Sequence, residues 1–203
     1  YNLTVAATGA NTGQYSFRLL DLNAATSITP GTAVSGGFNP ARETDLYQFT
    51  VTAGQRFYFD QRPGTVNATW RLVDPFSNLL FYVGFTSDQE PLTLAQPGTY
   101  TLILEDRRDS ASASSYTFNV QPVTDETIAY DIGSTASEAI DEAGEVDNYT
   151  FALATPSRLI FDSLTNSGSI HWTLVGPAGT YVTARSFQGS DASDEFSLHN
   201  LPT

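Results

Sequence analysis

Apolar and polar residues alternate along most of this chain, the period of strands that lie half-buried against a core. Residues 1–5 (YNLTV) alternate in this way, a turn follows at ATGANTG, and QYSFRLLDL then places Tyr15, Phe17 and Leu19 on one face. Gly9, Asn11 and Gly13 equip that turn with residues that tolerate positive φ. After a Thr/Ser/Pro/Gly stretch, NAATSITPGTAV, residues 43–60 read ETDLYQFTVTAGQRFYFD. Short strands are expected at 68–73, 79–83 and 91–94, separated by DPFSN and TSDQE, with QPG ahead of Tyr100. Turn signals roughly every 8–12 residues, with Thr, Val, Tyr and Phe between them, predict an antiparallel β-sandwich. No stretch keeps a helical period. The best helix candidate, STASEAIDEAG at 134–144, is expected to be strand plus loop.

The 43–60 block occurs twice. Residues 145–162, EVDNYTFALATPSRLIFD, match it at a constant offset of 102, pairing Glu43 with Glu145, Asp45 with Asp147, Tyr47 with Tyr149 and Phe49 with Phe151. The offset also joins Arg56 to Arg158, Phe59 to Phe161, Asp60 to Asp162, Trp70 to Trp172, Leu72 to Leu174 and Pro75 to Pro177. A shared period of this length means two domains of ordinary size. The partner of the helix candidate is the Gly-rich TAVSGGFN, which is why no helix is expected there.

A second echo fixes the phase. The segment YTLIL at 100–104, a polar loop and SYTFNV at 115–120 form the end of the first copy, and Tyr15 and Phe17 match Tyr116 and Phe118 at an offset of 101. The chain therefore reads as a hairpin at 1–22, a complete sandwich at 23–123 and a second sandwich at 124–203 whose final hairpin is absent. The strands of that second copy are expected near 145–162, 170–175, 181–185 and 195–198. The fold class is all-β: tandem antiparallel, jelly-roll-like β-sandwiches, circularly out of phase with the chain ends. A sandwich without two of its strands has open edges and an uncovered core. Residues 1–22 are thus expected to complete residues 124–203 of a neighbouring unit, covalently linked or not, or to close in cis. An arbitrary cut through a long array would leave the same phase. Tyr1, Leu3, Val5, Tyr15, Phe17 and Leu19 would form the junction.

An ordered set of short motifs runs through both copies. It comprises Glu-x-Asp-x-Tyr-x-Phe from Glu43, the turn Ala53-Gly54-Gln55, a Phe-x-Phe-Asp strand, Trp-x-Leu-x-Asp-Pro from Trp70, and PGTYTL. This set resembles the bacterial pre-peptidase C-terminal domain, over about residues 30–120 and, less fully, 133–203, where TPS replaces AGQ. The resemblance implies a small extracellular β-sandwich, found after secreted peptidases and in tandem in large bacterial surface proteins. It also implies possible Ca²⁺ binding near an acidic linker and first strand, as in collagen-binding modules of bacterial collagenases.

Composition narrows the function classes. The chain has no Cys, which excludes disulfides and thiolate sites, and no Met, so Tyr1 is read as the start of a processed protein or of a piece of a longer one. Net charge is −13 and every basic residue apart from two His is Arg. Nucleic acid requires clustered positive charge and is excluded as a partner. No run is long and apolar enough to span a membrane as a helix. The acidity is uneven: residues 1–99 carry net −2 and residues 100–203 net −11. Asp125, Glu126, Asp131, Glu138, Asp141, Glu142, Glu145 and Asp147 concentrate it, and with Glu43 and Asp45 in the first copy they are the candidate Ca²⁺ ligands. Carboxylates are the hard oxygen donors that ion takes, although EF-hand spacing is absent and no cofactor is required by the fold.

Catalytic motifs are missing from the sequence. His171 and His199 have no companion at metal-ligand or triad spacing, and the carboxylates lie in polar turns. The chain is read as no enzyme. Trp70 and Trp172 could stack sugars, but a large aromatic at one strand position in both copies is better read as core. Tyr47 and Tyr149 are read as core or corner residues, and Asp45 and Asp147 as turn caps or partners of Arg56 or Arg158. The expected function is structural: a repeat unit of a secreted or surface-displayed bacterial protein, building a fibre, matrix or stalk from copies of itself. The alternative is an extracellular module that targets an enzyme or adhesin to polysaccharide or protein, with or without Ca²⁺.

Overall fold

The computed structural model describes residues 1–64, 66–190 and 198–202. They divide into two compact units, Tyr1–Glu126 with Ala139–Val146, and Thr127–Glu138 with Asp147–Thr203. The chain is all-β, and no helix of the described residues is long and apolar enough to cross a membrane.

The first unit carries β1 (Thr26–Ser27), β2 (Val34–Phe38), β3 (Thr44–Val51), β4 (Gln55–Arg62), β5 (Ala68–Val73), β6 (Leu79–Gly84), β7 (Gln89–Leu94), β8 (Gly98–Asp106) and β9 (Ser114–Val123). They form two sheets, of order β1-β3-β8-β5-β6 and β2-β9-β4-β7. All ladders are antiparallel except β1 on β3. Strict alternation sends one face of each strand inward, where Phe38, Phe49, Phe57, Phe59, Trp70, Leu72, Leu102, Leu104 and Phe118 build one core. The turns are set by local chemistry. Asp74 accepts from the backbone N–H of Phe76 and Asn78, each at 2.8 Å, which fixes the DPFSN turn.

Strands β8 and β9 hold the inner place in each sheet. β8 pairs with β3 on one side and β5 on the other; β9 lies between β2 and β4. The hairpin expected from YTLIL and SYTFNV is therefore corrected: the two strands follow each other in sequence but enter opposite sheets, an arch with no ladder between them. Sequence alternation is the same for both arrangements, which is why the pattern alone did not separate them.

The second unit carries β10 (Glu126–Ala129), β11 (Asp147–Thr150), β12 (Ser157–Ile160), β13 (His171–Gly176), β14 (Gly179–Ser186) and β15 (Leu198–Leu201). They form three separate two-stranded sheets, β10-β11, β12-β15 and β13-β14. Each repeats a pair of the first unit: β11 is β3, β12 is β4 and β13 is β5 at the 102-residue offset. The bond from Tyr130 N–H to the Thr150 carbonyl, 2.8 Å, repeats that from Ile28 to Gln48, 2.9 Å. Among the described residues, no strand stands where β8 and β9 stand in the first unit. The expected strand at 195–198 falls partly outside the described residues; His199, read as a turn residue, lies on β15. Residues 134–144 are loop throughout, without the strand expected there.

The inner strands should dominate the stability of the first unit. Leu102→Ala, on β8 and fully buried, is expected to lower its unfolding free energy by about 2–5 kcal/mol in urea denaturation. Leu174→Ala, at the half-buried counterpart of Leu72, is expected to cost less than Leu72→Ala by the same measurement.

Candidate assembly interface

The first unit shows what a completed junction looks like. Tyr116 on β9 reaches across the core to β3, where its hydroxyl donates to the Asp45 carboxylate, and the Tyr47 hydroxyl lies 2.7 Å from it. With the Tyr116 proton directed at Asp45, Tyr47 is left to donate to Tyr116. Gly36 makes room, since a Cβ there would sit 2.5 Å from the Tyr116 hydroxyl oxygen. Burial raises the pKa of Asp45 above the ordinary carboxylate value, opposed by the hydroxyl of Tyr116. Burial likewise raises Tyr47, and it raises Tyr116 further, because ionisation would also place phenolate beside Asp45 and Tyr47. Asp45 is thus neither a turn cap nor a partner of Arg56. Its spacing in Glu-x-Asp-x-Tyr-x-Phe, with Tyr47 on the same strand face, was the available signal.

The candidate Ca²⁺ ligands do not converge. Among the described residues no group of three His, Asp or Glu side chains is arranged to hold a metal ion. Asp125 forms an ion pair with Arg56, which also donates to the Gly144 carbonyl at 3.1 Å. Glu145 accepts from the backbone N–H of Asp141 and Glu142 at 2.8 and 2.9 Å, and Glu142 accepts from that of Thr124 at 3.2 Å. Glu43 repeats the Glu145 arrangement at the same offset, accepting from Asn39 N–H at 3.0 Å, and also binds Arg18 at 2.9 Å. Asp45 faces Tyr116, Asp147 lies on β11, Glu126 opens β10, and Asp131 and Glu138 are exposed in the loop between those strands. Backbone amides and Arg56 have taken up much of the negative charge that the sequence pattern offered to a cation. Asp141 and Glu142 line a shallow depression with Tyr58, Asp60 and Gln121 of the first unit.

The two tryptophans differ. Trp70 is fully buried among Phe59, Phe81 and Phe85, the core position preferred for it, which leaves no face for the alternative of stacking on an external sugar. Trp172 is half-buried, and its indole N–H donates to Ser190 Oγ at 2.7 Å. The equivalent ring pairs show what the inner strands change. Phe59 meets Trp70 edge-on, 6.3 Å between centroids and 89° between planes. Phe161 lies flat on Trp172, at 4.0 Å and 7°.

The junction residues are the reverse image of this. Tyr100, Leu102, Leu104, Tyr116, Phe118 and Val120 of the first unit are each 1% exposed or less. Their counterparts Tyr1, Leu3, Val5, Tyr15, Phe17 and Leu19 are all exposed, none below 47%. Residues 1–20 form no strand, and the expected hairpin at 1–22 is not made. The arch explains this: its two strands pair with other strands, not with one another. In the second unit Phe151, Ile160, Leu164, Ile170 and Val175 are exposed, from 37% to 73%.

No protein-family model matches the chain, and no curated protein matches it. Solved structures do. The chain is similar to a periplasmic inhibitor of g-type lysozyme from Aeromonas hydrophila, at 16% identity and TM-score 0.39, over 48% of this chain and 96% of that one. It is similar to the corresponding inhibitor of Salmonella Typhimurium, at 21% identity and TM-score 0.38, over 48% and 97%. It is also similar to the pre-peptidase C-terminal domain of collagenase from Bacillus anthracis, at 22% identity and TM-score 0.37, over 48% and 94%.

The buried hydroxyls set an alkaline limit. Tyr47 and Tyr116 have raised pKa values in the fold, so the unfolded chain releases these protons first. Their contribution to stability is complete below about pH 10 and declines as pH rises above it. For Asp45 the sign is the same at acid pH: its contribution declines as pH rises through the carboxylate range. Phenolate absorbance of the wild-type chain should therefore appear in two steps, the second coincident with unfolding of the first unit, and Tyr116→Phe should shrink that second step.

Proposed function

We propose that this chain is a structural repeat unit of an extracytoplasmic bacterial protein, assembled head to tail into an extended fibre, matrix or stalk. Residues 1–22 of one copy complete the second unit of the next. The single observation that carries this reading is the matched exposure: six apolar side chains outside any sheet at 1–20, and three two-stranded sheets without inner strands among the described residues of the second unit. Each is an aggregation liability alone, and each fits the other by the pairing that the first unit already makes. Adding strands to a neighbour's open sheet edges is an established form of recognition, carried by backbone hydrogen bonds with side chains setting specificity. Because donor and acceptor are different surfaces of one chain, the contact is heterologous, and it generates a filament where the rotation between copies does not close a ring. Along such an array stability is a sum of unit terms and nearest-neighbour terms. A covalent array and a non-covalent one use the same contacts, and neither involves a catalytic step.

Sedimentation velocity of the 203-residue chain should show mass rising with concentration beyond 21.9 kDa. Removal of residues 1–22 should leave a species that stays monomeric and binds more of a hydrophobic dye at its second unit. A chain that remains monomeric at high concentration, with residues 1–22 still open to protease, would rule out the assembly.

A further inference from the structure

We propose that residues 1–20 of one copy enter the second unit of another in the register of β8 and β9, with Tyr15 joining Asp147 and Tyr149 and Arg18 facing Asp162. This rests on the head-to-tail reading and adds to it the register and the polar contacts that select the partner.

The register is transferred pair by pair. In the first unit Tyr47 pairs with Leu102 and Trp70 with Leu104. The equivalents place Leu3 across from Tyr149 and Val5 across from Trp172. On the other sheet Phe59 pairs with Val120, which places Leu19 across from Phe161. Apolar residues meet apolar residues at each position, and a slip by one residue would turn all of them outward.

Two polar positions then fall into place. Tyr15 is the counterpart of Tyr116, and Asp147 and Tyr149 are the counterparts of the Asp45 and Tyr47 that receive Tyr116. The acceptor therefore repeats the carboxylate and phenol that flank that hydroxyl. Arg18 is the counterpart of Asn119, which pairs with Asp60. In the first unit Asp60 is neutralised by Arg62 at 2.8 Å, two residues further along β4. At the 102-residue offset that arginine is replaced by Leu164, so the cation that neutralises Asp60 has no counterpart there, and the donor carries one. Arg18 binds Glu43 at 2.9 Å within its own chain and is half-exposed, so entry exchanges one carboxylate partner for another. The first unit, closed by its own arch, has Asn at this position and no charge to match. The Arg18–Asp162 pair therefore favours completion by residues 1–20 over completion by the arch of another first unit.

The chain has no cysteine, so single thiols report the register. Mixed chains carrying Thr4→Cys and Asn148→Cys should cross-link on mild oxidation, as the counterparts of Ile103 and Leu46. Thr4→Cys with Thr150→Cys should not. Cross-linking at Thr150 instead would overturn the register while leaving head-to-tail assembly standing. No cross-link in a monomeric chain would overturn both. A cross-link formed only within a chain bearing both thiols would show cis closure and overturn exchange between copies.

Sedimentation then tests the polar contacts. Arg18→Glu and Asp162→Arg should each weaken association about tenfold, and together restore it. Additive loss in the combination would overturn the ion pair. Tyr15→Phe should weaken association about tenfold, and unchanged association would overturn the hydroxyl contact.

Discussion

Everything in this fold depends on the backbone pairing of its inner strands. An edge strand satisfies one side with a neighbour and the other with water, but β8 and β9 pair on both sides. Each also presents its apolar face to the centre of the core, so hydrogen bonding and burial coincide in one element. Removing β8 leaves the pairs β1-β3 and β5-β6, and removing β9 leaves β4-β7 and a lone β2, pieces whose size is marginal in water. The second unit is in that condition among the described residues, with β10-β11 and β13-β14 on one side and β12-β15 on the other. The flat contact of Phe161 on Trp172 is the packing consequence: rings held apart and edge-on in the first unit come face to face in the second.

The acidic character of residues 100–203 acquires a local explanation from the same geometry. Glu43 and Glu145 occupy one position of the repeat and do one job, tying back the loop that leads into β3 or β11 by accepting its amide protons. Asp125 fastens the end of the first unit to Arg56, and Glu142 accepts from Thr124. These are charge-assisted bonds to backbone and guanidinium, which relieve the repulsion that a run of carboxylates would otherwise bring. The sequence shows the carboxylates but not the amide donors, because any residue carries an amide; a cation was the more visible partner.

Strand positions were legible in the sequence wherever alternation and turn chemistry agreed, as at Ala68–Val73 and in the DPFSN turn. The repeat was legible because Trp70, Tyr47 and Phe59 occupy core positions where few other residues fit, so their spacing persisted. Strand partners were not legible. Period-2 patterning says which face of a strand is buried but not which sheet the strand joins, so the arch of β8 and β9 read as a hairpin. The hydroxyl cluster was hidden for a related reason: Asp45 and Tyr116 are 71 residues apart, and only the crossing between sheets brings them together. The burial of Trp70 followed from its setting, whereas the half-burial of Trp172 did not, since the two occupy one position of the repeat and differ in what covers them.

That difference between equivalent positions bears on how copies would associate. A sandwich closed by its own arch has no reason to exchange strands, because the covalent connection gives its inner strands a high effective concentration. The second unit has no such competitor among the described residues. Net charge of −13 per copy opposes close approach of copies everywhere except where short-range pairing and apolar burial act, and salt screens that opposition within about 10 Å. On the proposed head-to-tail reading, those forces favour end-to-end growth over bundling.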